Sequence, residues 1–145
     1  RYRPGDELTA LIVVKSVAVG HYFPTYVTPR VVVRAGLVDA KGGPVAGTAQ
    51  EYVIAREVAL DLSREISDTR IPPGERASFS YRRRLAGQGL TLRVTVTVYP
   101  DHFYTGFFKS LLASGASAGV PQIREALEMT RRSPFDIFSK DVPLT

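Results

Sequence analysis

Two histidines, His21 and His102, are the whole supply of imidazole in this chain, and cysteine is absent. Those counts bound the chemistry at once. Without cysteine the chain has no thiol nucleophile, no thiolate metal site, no disulfide and no attachment point for a c-type haem. Neither histidine belongs to a His-x-x-x-His pair, the spacing that aims two ring nitrogens at one metal from a helix face. Ser114, in Leu112-Ala113-Ser114-Gly115, does not fit the nucleophile turn Gly-x-Ser-x-Gly, because the leading glycine is not at the required place. The glycine-rich stretch from Gly42 to Gly47 has no Lys-Ser/Thr after it, so it reads as a turn and not a phosphate loop. Asp101-His102 could form an acid–base pair, but a helix start accounts for it more simply. The remaining carboxylates are scattered. The expectation is a chain that is not an enzyme, with no catalytic residues and no metal of its own.

One segment stands out: Val19-Gly20-His21-Tyr22-Phe23-Pro24-Thr25. Gly20 permits a sharp turn at the end of a strand, and Pro24 biases Phe23 toward an extended conformation. His21 therefore projects from a stiff loop. Two roles stay open for it. It is either a loop histidine bonded to backbone, or an axial ligand to an iron held by another domain, since neutral imidazole ligates haem readily. A second stiff stretch is Asp68-Thr69-Arg70-Ile71-Pro72-Pro73-Gly74-Glu75. Pro73-Gly74 fits the two central positions of a type II turn. Arg70 can pair with Asp68 or with an acidic partner.

These residues must be positioned by a β framework. Leu8–Val17 is rich in β-branched residues and free of Gly and Pro, which predicts a strand. Further strands are expected within Tyr26–Asp39 and over Gln50–Ala59, Arg64–Ile71, Ala77–Leu85 and Leu90–Tyr99. In the third, Tyr52, Ile54 and Arg56 fall on one face. The last alternates most cleanly: Leu92, Val94, Val96 and Val98 point inward and the intervening residues outward, as in a half-buried antiparallel strand. Lys41-Gly42-Gly43-Pro44 supplies a turn. Short strands without helical crossovers predict a mainly β, immunoglobulin-like antiparallel sandwich over residues 1–100.

Beyond residue 100 the periodicity changes. Tyr104, Phe107, Phe108, Leu111 and Leu112 recur at helical spacing, with Asp101 as the expected N-cap. Phe107 and Phe108 lie about 100° apart on a helix, so one ring is expected on the sheet and the other on a second helix or the tail. Ser114–Gly119 is a small-residue linker. Pro121–Arg132 is a second helix, with Ile123, Ala126, Leu127 and Thr130 on one face and a Glu128–Arg132 pair. The tail from Pro134 is extended and apolar and is expected to pack back. Residues 101–145 are thus a helical extension of one 145-residue domain.

Composition agrees with a folded chain. Apolar residues make up 44% and charged residues 23%, ordinary proportions for a globular protein. No segment approaches the ~20 apolar residues of a membrane span. The net charge of +5 is spread out, with Arg82-Arg83-Arg84 the only run. A nucleic-acid binder would carry a denser stripe with aromatics interleaved, so no nucleic-acid partner is expected. The first residue is Arg1 rather than Met, and the expectation is a mature piece or an excised domain.

Three stretches taken together carry a resemblance: Gly20-His21-Tyr22-Phe23-Pro24-Thr25, then Asp68 to Glu75, then Ser133-Pro134-Phe135-Asp136-Ile137-Phe138. In this order they resemble the haem-free β-sandwich module on the C-terminal side of bacterial multihaem c-type cytochromes of the c-552/c-554 type. Tyr26 stands where that family often has glycine. The resemblance implies a non-catalytic module of a periplasmic electron-transfer protein, exported because c-type haem is attached outside the inner membrane. The partner would be the haem-bearing domain of the same polypeptide, with haem c there and no cofactor in this chain. His21 would be the position able to ligate or line a haem. Gly20, Tyr22, Phe23, Pro24 and Arg70 would belong to the interface. The competing expectation is a free-standing immunoglobulin-like binding or adhesion module with no redox link.

Overall fold

The structure, a computed structural model, describes residues 2–115 and 118–145. Eight strands and two helices follow in chain order: β1 (Glu7–Lys15), β2 (Arg30–Val38), β3 (Gln50–Ile54), β4 (Arg56–Val58), β5 (Glu65–Asp68), β6 (Arg76–Arg84), β7 (Thr91–Tyr99), α1 (His102–Ala113), α2 (Val120–Arg131) and β8 (Phe135–Pro143). All strand pairs are antiparallel. One layer is a four-stranded sheet of order β3-β2-β7-β8; facing it is the two-stranded ribbon β1-β6; β4 and β5 form a separate hairpin. The fold is a mainly β antiparallel sandwich with two helices. Within the linker Ser114–Gly119, residues 116–117 lie outside the described residues. No described helix is long and apolar enough to cross a membrane.

Alternation builds the core. Leu8 and Tyr81 from the ribbon, Val31, Val33, Ala35 and Leu37 from β2, Ile54 from β3, and Leu92, Val94 and Val96 from β7 are all buried between the layers. Fully burying such an aliphatic side chain stabilises by roughly 1.5–3 kcal/mol. Tyr81 is buried together with its hydroxyl, and burial raises its pKa. That hydroxyl would be costly without a partner; it donates to the Thr48 carbonyl at 2.9 Å. Tyr52 and Phe79 stack across the layers at 5.4 Å.

The expected strand Gln50–Ala59 is two strands in different sheets. The chain leaves the large sheet at buried Ala55, whose amide donates to the Thr69 hydroxyl oxygen at 3.0 Å and whose carbonyl accepts from the Thr69 amide at 2.9 Å. These bonds replace the ladder at the break, and β4 turns to pair with β5. Arg56 therefore does not share a face with Tyr52 and Ile54; it bonds Glu65 at 2.7 Å in the hairpin. The Pro73-Gly74 turn forms as expected. The Glu75 amide closes on the Pro72 carbonyl at 3.1 Å, and Gly74 has φ of +76°, the value a type II turn requires at that position.

The helical extension differs from its sequence pattern in several particulars. Asp101 precedes α1, but its side chain makes no capping bond; its carbonyl instead receives the Thr105 amide and hydroxyl. Neither Phe107 nor Phe108 is fully buried, and no residue of α1 is. The two rings are tilted at 56° to each other with their centres 6.0 Å apart, within a row that includes Phe103 and Tyr104. The helix packs chiefly on α2. Gly106 faces Leu60 of the loop after β4, where an added Cβ would stand 3.4 Å from Leu60 Cδ2. Glu128 pairs with Arg131 rather than Arg132. The tail returns as the edge strand β8, held by the β7 ladder, yet Phe135, Ile137, Phe138 and Val142 all stay exposed. The ribbon opposite is only two strands wide, too narrow to cover them.

Candidate functional site

The loop carrying His21 is anchored at both ends of its aromatic stretch. Phe23 makes an isolated bridge with Ile71, each amide donating to the other's carbonyl at 2.8 Å. Phe23 packs against the core, Ile71 is part of it, and Pro24 is buried. The Phe23–Pro24 peptide is cis. The two stiff stretches of sequence are thus bonded to each other, which neither predicts alone.

Arg70 ties them further. Its Nε and one terminal nitrogen donate to the two carboxylate oxygens of Asp68 at 2.9 and 2.7 Å, and the other terminal nitrogen donates to the Thr25 carbonyl at 3.1 Å. The guanidinium carbon lies 4.9 Å from the centre of the Tyr22 ring, a cation–π distance. Bonding to Arg70 holds the Asp68 carboxyl below its ordinary pKa, and the same pairing raises that of Arg70. With three polar contacts and one ring, Arg70 is a brace of the loop.

On this brace His21 is exposed. Its Nδ1 lies 2.9 Å from the Tyr22 carbonyl and 3.2 Å from the Thr25 hydroxyl. A carbonyl only accepts, so the bond to Tyr22 puts the ring hydrogen on Nδ1. In the neutral ring Nε2 then carries the lone pair, and it makes no bond among the described residues. This is the arrangement of an imidazole able to coordinate: one nitrogen oriented by an acceptor, the other free. Gly20 and Tyr22 are exposed beside it. Thr25 closes the segment that stands out in the sequence, but nothing there assigns it a role. Its role depends on the turn that brings it back over the ring four residues later, and a lone threonine gives no signal of that.

A groove of about 480 Å³ opens beside the loop, between the free edges of β1 and β8. Val17, Val19, Phe23, Ile137 and Phe138 line it. Ser16 lines it too; its hydroxyl is buried without a partner among the described residues, while its amide donates to the Glu75 carbonyl. The signal for this groove was present in Val17 and Val19, apolar residues that continue past the end of β1.

The second histidine starts α1. His102 is half-buried, and burial, reinforced by the charge of Arg30, lowers its pKa. With Phe103, Gly106 and Glu57 it lines a cleft of about 120 Å³. The structure does not bring it to His21.

No known family profile matches the chain, and no curated protein does. Among solved structures, the fold is similar to that of a penta-heme cytochrome c552 from Thermochromatium tepidum, with a TM-score of 0.66 at 13% sequence identity. The match covers 99% of this chain and 37% of that one. At this identity the likeness shows a shared fold. The chain spans little more than a third of the length of the cytochrome it matches.

Proposed function

We propose that this chain is a non-catalytic β-sandwich module of an exported, periplasmic multihaem c-type cytochrome. It packs against the haem-bearing part of the same polypeptide and shields haem from water. The observation that carries this is the likeness across essentially the whole chain to a segment of a penta-heme cytochrome, joined to the motifs His21 to Thr25, Asp68 to Glu75 and Ser133 to Phe138. The donor set fits a limited role toward haem. With no cysteine the chain cannot attach a c-type haem. His21, with Nδ1 held and Nε2 free, fits one axial ligand to a haem carried elsewhere. Such a ligand sets spin state and potential. Gly20 and Tyr22 form the exposed surface next to it; Phe23 and Pro24, expected at that surface, instead pack inward beneath it, and Arg70 keeps the loop in shape.

The test has two parts. The polypeptide that carries this chain should contain Cys-x-x-Cys-His motifs outside residues 1–145. Their absence would return the chain to a free-standing binding module. In that polypeptide, His21→Ala should convert one low-spin haem to high-spin and shift its potential. An unchanged spectrum and potential would remove His21 as a ligand and leave packing as the module's role.

A further inference from the structure

The outer face of the β1–β6 ribbon carries charge that the fold does not use. In β6 the side chains of Arg76, Ser78, Ser80, Arg82 and Arg84 point outward, while Ala77, Phe79, Tyr81 and Arg83 point in. Their partners on β1 are Lys15, Val13, Leu11, Thr9 and Glu7, also outward. Arg76, Arg82, Arg84 and Lys15 therefore share one surface with Glu7. None of the four cations enters an ion pair among the described residues. Lys15 and Arg76 are direct cross-strand partners, and like charges so placed cost a sheet stability. Between the cations lie Leu11, 68% exposed, and Val13, 48% exposed.

We propose that this face is a docking surface for a protein whose own surface presents carboxylates around a small apolar centre. The pattern is that of a protein–protein contact, with apolar side chains in the middle and charge at the rim. Alternate residues of a strand are about 7 Å apart, so Arg82 and Arg84 act on an approaching surface as a pair within one Debye length, about 8 Å at physiological salt. Charge so arranged speeds encounter and selects acidic partners, and the apolar centre holds them once docked. A polyanion such as duplex DNA would gain from the cations but not from Leu11 and Val13. The inference is independent of whether His21 ligates iron, because the ribbon face shares no residue with that loop.

The probe is a synthetic peptide with carboxylates flanking a pair of leucines, titrated against the chain at rising salt. Binding should weaken steeply with salt. Arg82→Glu with Arg84→Glu should lose about tenfold in affinity or more. Arg124→Glu with Arg132→Glu, an equal change of charge on and after α2, should stay within about twofold. A peptide with serines for leucines should bind several-fold more weakly. All substituted positions are exposed, and circular dichroism confirms the fold of each variant; Arg82→Gln with Arg84→Gln serves if the glutamate pair misfolds. Equal losses in the two double variants would show bulk attraction only and overturn the proposal. So would no binding of the peptide, or tighter binding of a duplex DNA oligomer at the same salt.

Discussion

On the outer face of the four-stranded sheet, Arg93 reaches Asp141 with two bonds, at 2.8 and 2.7 Å, across β7 and β8. Arg34 reaches Glu51 at 3.5 Å across β2 and β3, and the Thr97 hydroxyl donates to Asp136. On the outer face of the β1–β6 ribbon, Arg76, Arg82, Arg84 and Lys15 form no ion pair with a carboxylate among the described residues. Both faces are exposed and both are built by alternation. They differ in what each cation finds opposite: an acid within reach on the large sheet, but on the ribbon Lys15 for Arg76, Thr9 for Arg82, and for Arg84 a Glu7 with which it forms no ion pair among the described residues. Exposed ion pairs contribute little to stability. The contrast therefore concerns what each surface leaves available, one matched within the chain and the other open to a partner.

Both faces rest on one core, and the largest effect comes from breaking it. Val96 is 8% exposed and lies on the central strand β7. Val96→Asp would bury a carboxylate without a partner, and the variant should fail to express or melt far below the parent. A melt within a few degrees of the parent would mean that the layers do not close over this row.

Arg70 takes internal pairing furthest, with its side chain only 14% exposed. Arg70→Ala removes hydrogen bonds to a carboxylate and to a carbonyl, and should cost about 1.5–3 kcal/mol in denaturant unfolding. It should also broaden the His21 ring signals in NMR as the loop loosens. The pairing carries a pH signature. Because Arg70 holds the Asp68 pKa below its ordinary 3.8, the contribution is complete above that value and is lost as pH falls below it. Arg70→Ala should flatten this acid limb. An unchanged limb would deny Arg70 the bracing role.

The comparison itself is tested by paired substitutions. Arg93→Ala breaks a bidentate pair and should lower the melting temperature slightly, with the effect vanishing at high salt. Arg82→Ala removes an unpaired cation and should leave stability unchanged or raise it a little. Equal losses in both would erase the distinction between the faces.

The smallest effect belongs to His102. Burial, then the charge of Arg30, holds its pKa below the ordinary 6.5. Folding favours the neutral ring, so stability is complete above pH 6.5 and declines as pH falls beneath it. His102→Gln should remove that decline below pH 6.5. A decline of the same size in the variant would place its origin elsewhere.

Composition and periodicity determined a good deal alone. The exclusion of cysteine chemistry followed from a count, and the inward row of β7 from strict alternation, because a strand with one buried face needs no distant information to be recognised. The stiffness of the His21 loop was legible in Gly20 and Pro24, and the type II turn in Pro73-Gly74, because these residues restrict their own backbone. Tertiary structure decided what depended on residues far apart in sequence. The break at Ala55 was hidden because its bonding partner is Thr69. The bracing of Tyr22 and Thr25 by Arg70 spans more than forty residues. The run Arg82-Arg83-Arg84 looked like a single cluster, but a strand sends Arg83 inward to the Thr48 carbonyl and the other two outward. Only pairing with β1 then adds Lys15 to that surface and sets Leu11 and Val13 at its centre. Local conformation is governed by each residue's own sterics and neighbours; which surfaces end up paired or open is governed by register, and register belongs to two strands at once.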